Sequence, residues 1–444
     1  MERRSLIGPL ILIAIGALWL AHNIWPSFDA SGLFRKYWPF LLIGWGVLRL
    51  VEVLALASQG KTLRRGMSGG EFFVAALVCV VGLAMTLPSH GPRIRIEGSA
   101  VEIFGEAYDY PVDLKQAVRP GTRLVIDNLN GNVRVAGGDT AEVTVTGRTT
   151  VRSLDRSSAD ELHSKLNIEF AEEGDRVTLR TNHERVPDNR RIATELNVVV
   201  PRSMTVETRG RSGDVDVSGL DGSVEVVSER GDVNLSRVGG AKLSLNRSGR
   251  INIADVSGNV EIASTRGSDL SVASVNGEVT VSGGFSGDMS FSKIAKPLRF
   301  SSRNSEMRVE RIDGSFSMDL GDLNGEDVTG PVRIHTKSRD INLDRFTGPL
   351  DIEIERGDIN LHPAAPLEQM SVRCQRSGDI QLALPEKARF TLDAVAERGT
   401  IENQAGGEFV SEMRNRESRL RSKSPGGPAV NLSTARGTIT LQQR

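Results

Sequence analysis

The sequence has few cysteines, few aromatic residues and no excess of charge of either sign. Its two cysteines, Cys79 and Cys374, lie far apart among 444 residues, so an internal disulfide framework is not expected. The cysteines therefore do not indicate the cellular compartment of the protein. The formal net charge of −1 argues against a nucleic-acid-binding protein, which usually needs a basic face. Aromatic residues make up only 5%, whereas there are 46 glycines. This balance favours short strands joined by tight turns.

Motifs that would carry catalysis or bind metal are also lacking. The six histidines are scattered, with no paired spacing that would indicate a zinc site. No Gly-Gly-x-Gly-x-Asp nonapeptide of a calcium β-roll is present, and no nucleophile elbow or phosphate loop is seen. We therefore expect a protein that is not an enzyme, with no catalytic residues, no metal and no cofactor. Cys374 alternates with Met370 and Val372, which predicts a core position.

Three apolar runs open the chain, and we interpret residues 1–91 as a membrane region. The runs cover about 6–24, 38–57 and 72–87, and the first has the length of a bilayer core. A secretory signal peptide is the weaker interpretation of the first run, because no small-residue cleavage site follows it. Arg49 and Glu52 fall inside the second run, where they can satisfy each other across one helical turn.

Basic residues in the short loops predict the orientation of this region. The predicted inner side carries Arg3, Arg4, Lys61, Arg64 and Arg65, and the predicted outer loop carries Arg35 and Lys36. Three spans then place everything after Ser89 outside the cytoplasm. The sequence thus predicts a multi-pass cell-membrane protein whose partner is the lipid bilayer. The third run is short, and the loss of one span would invert this topology.

A repeat defines residues 205–442. The motif Arg-(Ser)-Gly-Asp-Val/Ile-x-Val/Leu recurs with glycines 18 residues apart in its first copies, and apolar and polar residues alternate after each glycine. The predicted turn glycines are Gly213, Gly231, Gly249, Gly357 and Gly378. A second Gly motif interleaves with the first. Alternation indicates strands with one buried face, and a fixed short period indicates stacked coils. We predict an all-β solenoid with two short strands per coil of about 18 residues.

Three stretches depart from this repeat. Residues 92–204 contain strands at irregular spacing and are predicted to form a β entry and capping region. Between 283 and 328, bulkier apolar pairs such as Met289 and Phe291 replace the valines, which predicts wider coils. Residues 405–428 are predicted to form a polar loop or short helix before the final coil, with a polyanion contact as the alternative. Its basic residues are Arg414, Arg416, Arg419, Arg421 and Lys423.

Several segments resemble known bacterial families. Val118-Arg119-Pro120-Gly121, the run from Ile126 to Val135, and Leu196–Pro201 before Ser212-Gly213-Asp214-Val215 resemble the putative-adhesin family of β-strand-repeat domains, also called toastrack domains. The segments Gly8–Ile11 and Tyr37–Gly44 resemble the membrane region of Lia-type cell-envelope stress proteins. The resemblance implies an envelope-facing, adhesin-like or stress-sensing role without catalytic residues.

Charged residues beside the turns form the candidate ligand site. The sequence predicts an arginine column at one edge of the solenoid, made of Arg230, Arg266, Arg356, Arg376 and Arg398. Guanidinium forks suit an acidic glycan or a lipid headgroup. The alternative is neutralisation by an adjacent aspartate column, whose carboxylates can also hold the turns. That column is Asp214, Asp232, Asp340, Asp358 and Asp379.

These patterns favour a non-catalytic interaction module, adhesin-like or stress-sensing, that contacts an envelope protein or an acidic glycan. One alternative is a membrane-bound scaffold that polymerises through its open coil edges. Another is a polysaccharide-active β-helix enzyme, which commonly has clustered carboxylates, whereas the acidic residues here are dispersed.

Overall fold

The computed structural model describes residues 93–97, 100–104, 106–186, 191–386, 388–424 and 426–443, together with the helical residues Phe40, Ile43, Gly46 and Val47. The rest of the predicted spans 6–24, 38–57 and 72–87 lies outside the described residues. Among the residues that are described, no helix is both long and apolar enough to cross a membrane. The chain forms two compact units, Met1–Glu106 and Ala107–Arg444.

Strands dominate the described residues. The amino-terminal half contains β1 Arg93–Glu97, β2 Ala100–Phe104, β3 Glu106–Ala117, β4 Arg123–Asp127, β5 Val133–Gly138, β6 Glu142–Ser153, α1 Arg156–Ser164, β7 Glu169–Glu173, β8 Arg176–Arg180, a 3₁₀ turn at His183–Arg185, β9 Ile192–Pro201, β10 Thr205–Gly210, β11 Val215–Val256, β12 Val260–Gly267, β13 Leu270–Val275 and β14 Val279–Phe285.

The second half continues with β15 Met289–Ile294, β16 Leu298–Ser301, β17 Ser305–Met318, β18 Asp322–Ser338, β19 Asp340–Phe346, β20 Leu350–Arg356, β21 Ile359–Pro363, β22 Met370–Ser377, β23 Ile380–Leu384, β24 Thr391–Ala396, β25 Ile401–Asn403, β26 Phe409–Arg414, β27 Glu417–Ser422, β28 Ala429–Thr434 and β29 Ile439–Gln443. In the first unit, β1 and β2 pair as an antiparallel hairpin.

The second unit is a β-solenoid, so the predicted all-β solenoid is confirmed. Each coil gives one strand to each of two walls, and neighbouring coils pair in parallel except at one reversed coil, β17. The first wall includes β4, β10, β12, β14, β16, β20, β22, β24 and β28, and the second includes β5, β13, β15, β19, β21, β23, β25 and β29. The long strands β11, β17 and β18 turn the corner and pair in both walls.

Apolar columns fill the space between the walls. In the first wall Val260 pairs with Val279, which pairs with Leu298, and all three side chains are buried. The second wall stacks Leu270 on Met289 in the same way. Alternation sends every second side chain inward, and stacking covers the edges of each inner coil. Cys374 is buried in this core, as predicted.

One coil runs backwards. The strand β17 is antiparallel to β16, with Leu298 opposite Val309, and antiparallel to β15, with Phe291 opposite Phe316. It is also antiparallel to β18, after which parallel stacking resumes. The irregular register between 283 and 328 therefore includes a reversed coil, which the prediction of wider coils did not foresee. The bulky apolar pairs do point inward, but two hairpins reverse the chain for one coil.

Strand order departs from chain order at both ends of the solenoid. The first coil in sequence, β4 and β5, lies between β8 and β9 on one side and β10 and β11 on the other. The last coil in sequence, β28 and β29, lies between β22 and β23 on one side and β24 and β25 on the other. The coil expected to be final is therefore enclosed.

Antiparallel strands cover the amino-terminal end of the solenoid and, at the other end, its first wall. Strands β6 and β7 pair with β9 and β8 at the amino-terminal end. At the other end β27 pairs with β24, and β26 pairs with β27. The stretch 405–428 therefore contains a hairpin rather than the predicted loop or short helix. Leu420 of β27 points into the core, which the many surrounding arginines obscured in the sequence.

Candidate functional site: an arginine-lined corner

The turns that lead from the first wall to the second stack into one corner of the solenoid, called the corner below. The predicted turn glycines all lie there. Gly231 has φ +134, and a Cβ built on it would meet the carbonyl oxygen of Gly213 at 2.0 Å. Gly378 does not have a positive φ, but a Cβ built on it would lie 1.9 Å from the carbonyl oxygen of Gly357. Close stacking of backbones, together with positive φ at some positions, requires glycine here.

The aspartate column binds the backbone of the next coil. Asp214 accepts the N–H of Asp232 at 2.9 Å, and Asp232 accepts the N–H of Arg250 at 2.9 Å. The second half repeats this pattern, where Asp358 accepts the N–H of Asp379 at 2.8 Å. These carboxylates tie successive coils together. They reach the next turn rather than their own, which the sequence did not indicate.

The five predicted arginines are all exposed at the corner, in two groups. Arg230 and Arg266 lie in the amino-terminal half, where Arg266 is paired in register with Arg247 on the neighbouring strand. Arg356, Arg376 and Arg398 line one groove. Among the described residues, none of the five pairs with the aspartate column. Arg376 is 3.4 Å from Glu355, and the other four form no ion pair within the described part of the chain.

A fourth arginine completes the groove, which has a volume of about 520 Å³. Arg436 lines it and is exposed. The backbone N–H of Gly378 donates to the carbonyl of Arg436 at 2.9 Å, which places Arg436 between Arg376 and Arg398 along the stack. The sequence analysis missed this residue. The signal was present, because Arg436-Gly437-Thr438 repeats Arg398-Gly399-Thr400.

The hairpin that covers the carboxyl-terminal end extends this basic surface. A second depression of about 310 Å³ joins Arg398 to Arg416. Three other basic residues of the hairpin are partly neutralised, and Arg414 does not line this depression. Arg419 and Arg421 contact Asp393 at 2.7 and 3.5 Å, and Lys423 contacts Glu408 at 3.4 Å. Arg416 is thus the residue of this hairpin that continues the groove.

The corner also forms a larger groove in the amino-terminal half, with a volume of about 720 Å³. Its charges are balanced, because Asp127 and Glu229 lie there with Arg209 and Arg211. Burial, with Glu184 as a smaller cause, raises the pKa of the Asp127 carboxyl. A groove of mixed charge does not select anions as the arginine groove does.

One concentrated patch of carboxylates occurs on the second wall, and it bears on the enzyme alternative. Arg345 contacts Asp327 and Asp344 at 2.8 Å each and also pairs with Glu326. The hydrogen bond from Arg345 lowers the pKa of Asp327, whereas a general acid for glycoside cleavage needs a raised pKa. Three carboxylates bound to one guanidinium form a structural cluster rather than an acid-base pair.

Comparison with known proteins identifies the class. Residues 122–285 and 282–442 match the family model described as Toastrack DUF4097. Because these two stretches cover well over half of the chain, it belongs to the Toastrack DUF4097 family, and the predicted toastrack resemblance is confirmed. The two matches meet just before the reversed coil. The chain is therefore a tandem of two toastrack repeats in one continuous solenoid.

A solved structure described as a putative cell adhesion protein from Clostridium sporogenes is also similar. It is 11% identical, and the match covers 76% of this chain and 100% of that chain with a TM-score of 0.16. A likeness at this level carries no argument about function. No curated protein matches the chain.

Proposed function

We propose that this protein is a membrane-anchored, extracytoplasmic, non-catalytic interaction module of the bacterial cell envelope, with an adhesin-like or stress-sensing role. The observation that carries this proposal is the corner, where four exposed arginines line a groove of the stacked solenoid. Three of them, Arg356, Arg398 and Arg436, form no ion pair within the described part of the chain, and Arg376 pairs with Glu355. Unpaired guanidinium groups at a fixed spacing are suited to binding oxyanions. In the described residues, no group of three or more His, Cys, Asp or Glu side chains could hold a metal ion.

The membrane anchor is proposed from the sequence. Residues 1–91 contain the three apolar runs 6–24, 38–57 and 72–87, and the segments Gly8–Ile11 and Tyr37–Gly44 resemble Lia-type stress proteins. The distribution of Lys and Arg in the loops supports a location of the solenoid outside the cytoplasm. In this proposal, residues 92–204 form the entry and cap, and 205–442 form the repeats.

The scaffold alternative is less well supported. End-to-end polymerisation would need open strand edges at both ends. Instead, the first wall ends in β7, with the sequence EFAEE, at one end and in β26, which carries the charged residues Glu412 and Arg414, at the other. Charged edge strands of this kind are a common protection against edge-to-edge pairing.

Site-directed labelling tests the proposed location. Single cysteines would replace the exposed residues Ser223 and Glu412 in a chain with Cys79→Ser, and a membrane-impermeant maleimide would be added to intact spheroplasts. We expect both positions to react before lysis. Cys374 is buried and serves as the internal control, which should react only after denaturation. Reaction of Ser223→Cys and Glu412→Cys only after lysis would place the solenoid in the cytoplasm and refute the proposal.

A further inference from the structure

The arginines of the carboxyl-terminal groove form a ladder along successive turns, in which Arg356, Arg436 and Arg398 hold matching positions and Arg376 lies one residue out of register. Gly378 stacks on Gly357, Gly437 on Gly378, and Gly399 on Gly437. A Cβ built on the first glycine of each pair would lie 1.9, 2.2 and 1.8 Å, respectively, from the carbonyl oxygen of the second. The residues before these glycines therefore hold equivalent positions on four neighbouring strands. They are Arg356, Ser377, Arg436 and Arg398, with Arg376 one residue before Ser377.

The ladder runs along the stack. Strands β20, β22, β28 and β24 are neighbours in that order, and strands in a sheet are about 4.8 Å apart. Four guanidinium groups thus follow one another over about 14 Å, and Arg416 continues the line beyond Arg398. A linear ligand with repeated negative charges matches this arrangement better than a single small anion does.

The electrostatics of the groove favour an anion. The acidic side chains that face the ladder are Glu397, which lines the groove, and Glu355, which pairs with Arg376 at 3.4 Å. Four arginines and two glutamates leave a positive excess. The remaining lining groups include Gln375 and Ser377, an amide and a hydroxyl that can bind sugar hydroxyl groups.

Two other polyanions fit less well. The lining of the groove contains no aromatic residue, so it offers no platform for stacking the bases of a single-stranded nucleic acid. A bilayer headgroup presents single phosphates on separate lipids, whereas the arginines follow one line along the stack.

We propose that Arg356, Arg376, Arg436, Arg398 and Arg416, called the arginine track, bind one linear acidic polysaccharide along the solenoid, with each guanidinium contacting a carboxylate or sulfate of a successive sugar. This inference deepens the proposed function by naming the ligand class. The ladder provides a cation at every strand, so binding should require several sugar units in one chain.

Calorimetric titration of the full chain in phosphatidylcholine nanodiscs tests the arginine track. The probes are oligogalacturonates from dimer to octamer, with neutral maltooligosaccharides as controls. We expect affinity to rise with chain length until about five sugars span the track and then to level off. Arg436→Gln and Arg398→Gln should each weaken octamer binding about three- to fivefold. Glu397→Gln should strengthen it, because an opposing charge is removed.

The matched control is the double variant Arg230→Gln/Arg266→Gln, which removes exposed corner arginines outside the groove. It should leave octamer affinity unchanged. Affinity independent of length, or equal loss in this control, would show adventitious anion binding and overturn the inference. Flotation with phosphatidylglycerol vesicles supplies the second arm. Vesicle binding that depends on Arg436 and Arg398, without oligogalacturonate binding, would assign the track to lipid instead. The labelling experiment tests the proposed location independently of the arginine track, because a solenoid in the cytoplasm could still bind oligogalacturonate.

Discussion

The carboxylate of Asp232 accepts a hydrogen bond of 2.9 Å from the backbone N–H of Arg250, one coil further along the stack. The same contact recurs along the corner, and it satisfies a donor that the turn would otherwise leave without a protein partner. The aspartates predicted as neutralising partners of the arginines therefore act on the backbone. This leaves the arginine side chains available to ligands.

Removing this carboxylate should loosen one turn locally. We expect Asp232→Ala to reduce stability by about 1 kcal/mol, the usual net contribution of a hydrogen bond with a larger penalty if the donor is left unsatisfied. Hydrogen exchange at residues 249–253 should accelerate. Asp232→Asn, which keeps the acceptor oxygen, is the control and should change exchange less. Equal protection from hydrogen exchange in the parent protein and both variants would show that water replaces the carboxylate as acceptor with no loss of stability.

A methyl group at Gly231 should be far more damaging. The residue has φ +134, and its Cβ would lie 2.0 Å from the carbonyl oxygen of Gly213. We expect Gly231→Ala to lower the free energy of unfolding by about 3 kcal/mol, from backbone strain and displacement of the neighbouring coil. Urea denaturation measures the change. Gly426→Ala is the matched control, because no atom lies within 4 Å of that added Cβ. A similar loss in both would contradict the stacking argument.

Acid should destabilise the entry region through His183. This side chain is fully buried and its Nε2 lies 2.8 Å from the hydroxyl of Thr194. Burial lowers its pKa from 6.5 to about 4; Glu184 raises the pKa and Arg211 lowers it, both to a smaller extent. Because the folded pKa lies below the unfolded value, stability is fully present above pH 6.5 and is lost as pH falls towards 4. The loss amounts to about 3 kcal/mol.

Unfolding midpoints measured across this pH range test the assignment. His183→Gln removes the titration and retains an amide that can bond to Thr194, so its stability should depend less steeply on pH between 6.5 and 4. The parent protein, measured at the same pH values, is the control. An unchanged slope in His183→Gln would exclude this residue as the cause.

The carboxyl-terminal hairpin should depend on Asp393. Arg419 donates two hydrogen bonds to this carboxylate, at 3.0 and 2.7 Å, and they lower its pKa. Because the folded pKa is depressed, this stabilisation is present at neutral pH and disappears as pH falls through the folded pKa. Both groups are about one-third exposed, so we expect Arg419→Gln to cost about 1 kcal/mol. Limited proteolysis between 405 and 417 should accelerate, whereas Arg414→Gln should not change it.

Deleting the hairpin should expose a pairing edge. Strand β27 covers β24, and replacement of residues 406–424 by a short Gly-Ser linker would leave β24 with an open edge. Open, regular edges recruit further strands, so we expect concentration-dependent self-association in sedimentation velocity experiments. The intact chain at equal concentration is the control. A deletion variant that sediments like the parent would show that the hairpin has no capping role.

Much of the fold could be predicted from the sequence because alternation has a direct physical meaning. Val260 and Ile262 are buried while Glu261 is exposed, as a strand with one buried face requires. The corner position of the arginines also followed from the repeat. The hairpin at 405–428 was missed, since its single inward pair, Ser418 and Leu420, is surrounded by arginines and glutamates.

The sequence by itself determined which residues face the core, where the turns fall and that glycine must occupy them, because these depend on local periodicity and backbone conformation. Only the tertiary structure decided strand direction and order. Parallel and antiparallel strands share the same alternation, so β17 could reverse without a sequence signal. The insertion of β28 between β22 and β24 places Arg436 between Arg376 and Arg398. That neighbourhood arises from hydrogen bonding between distant segments, which no local pattern records.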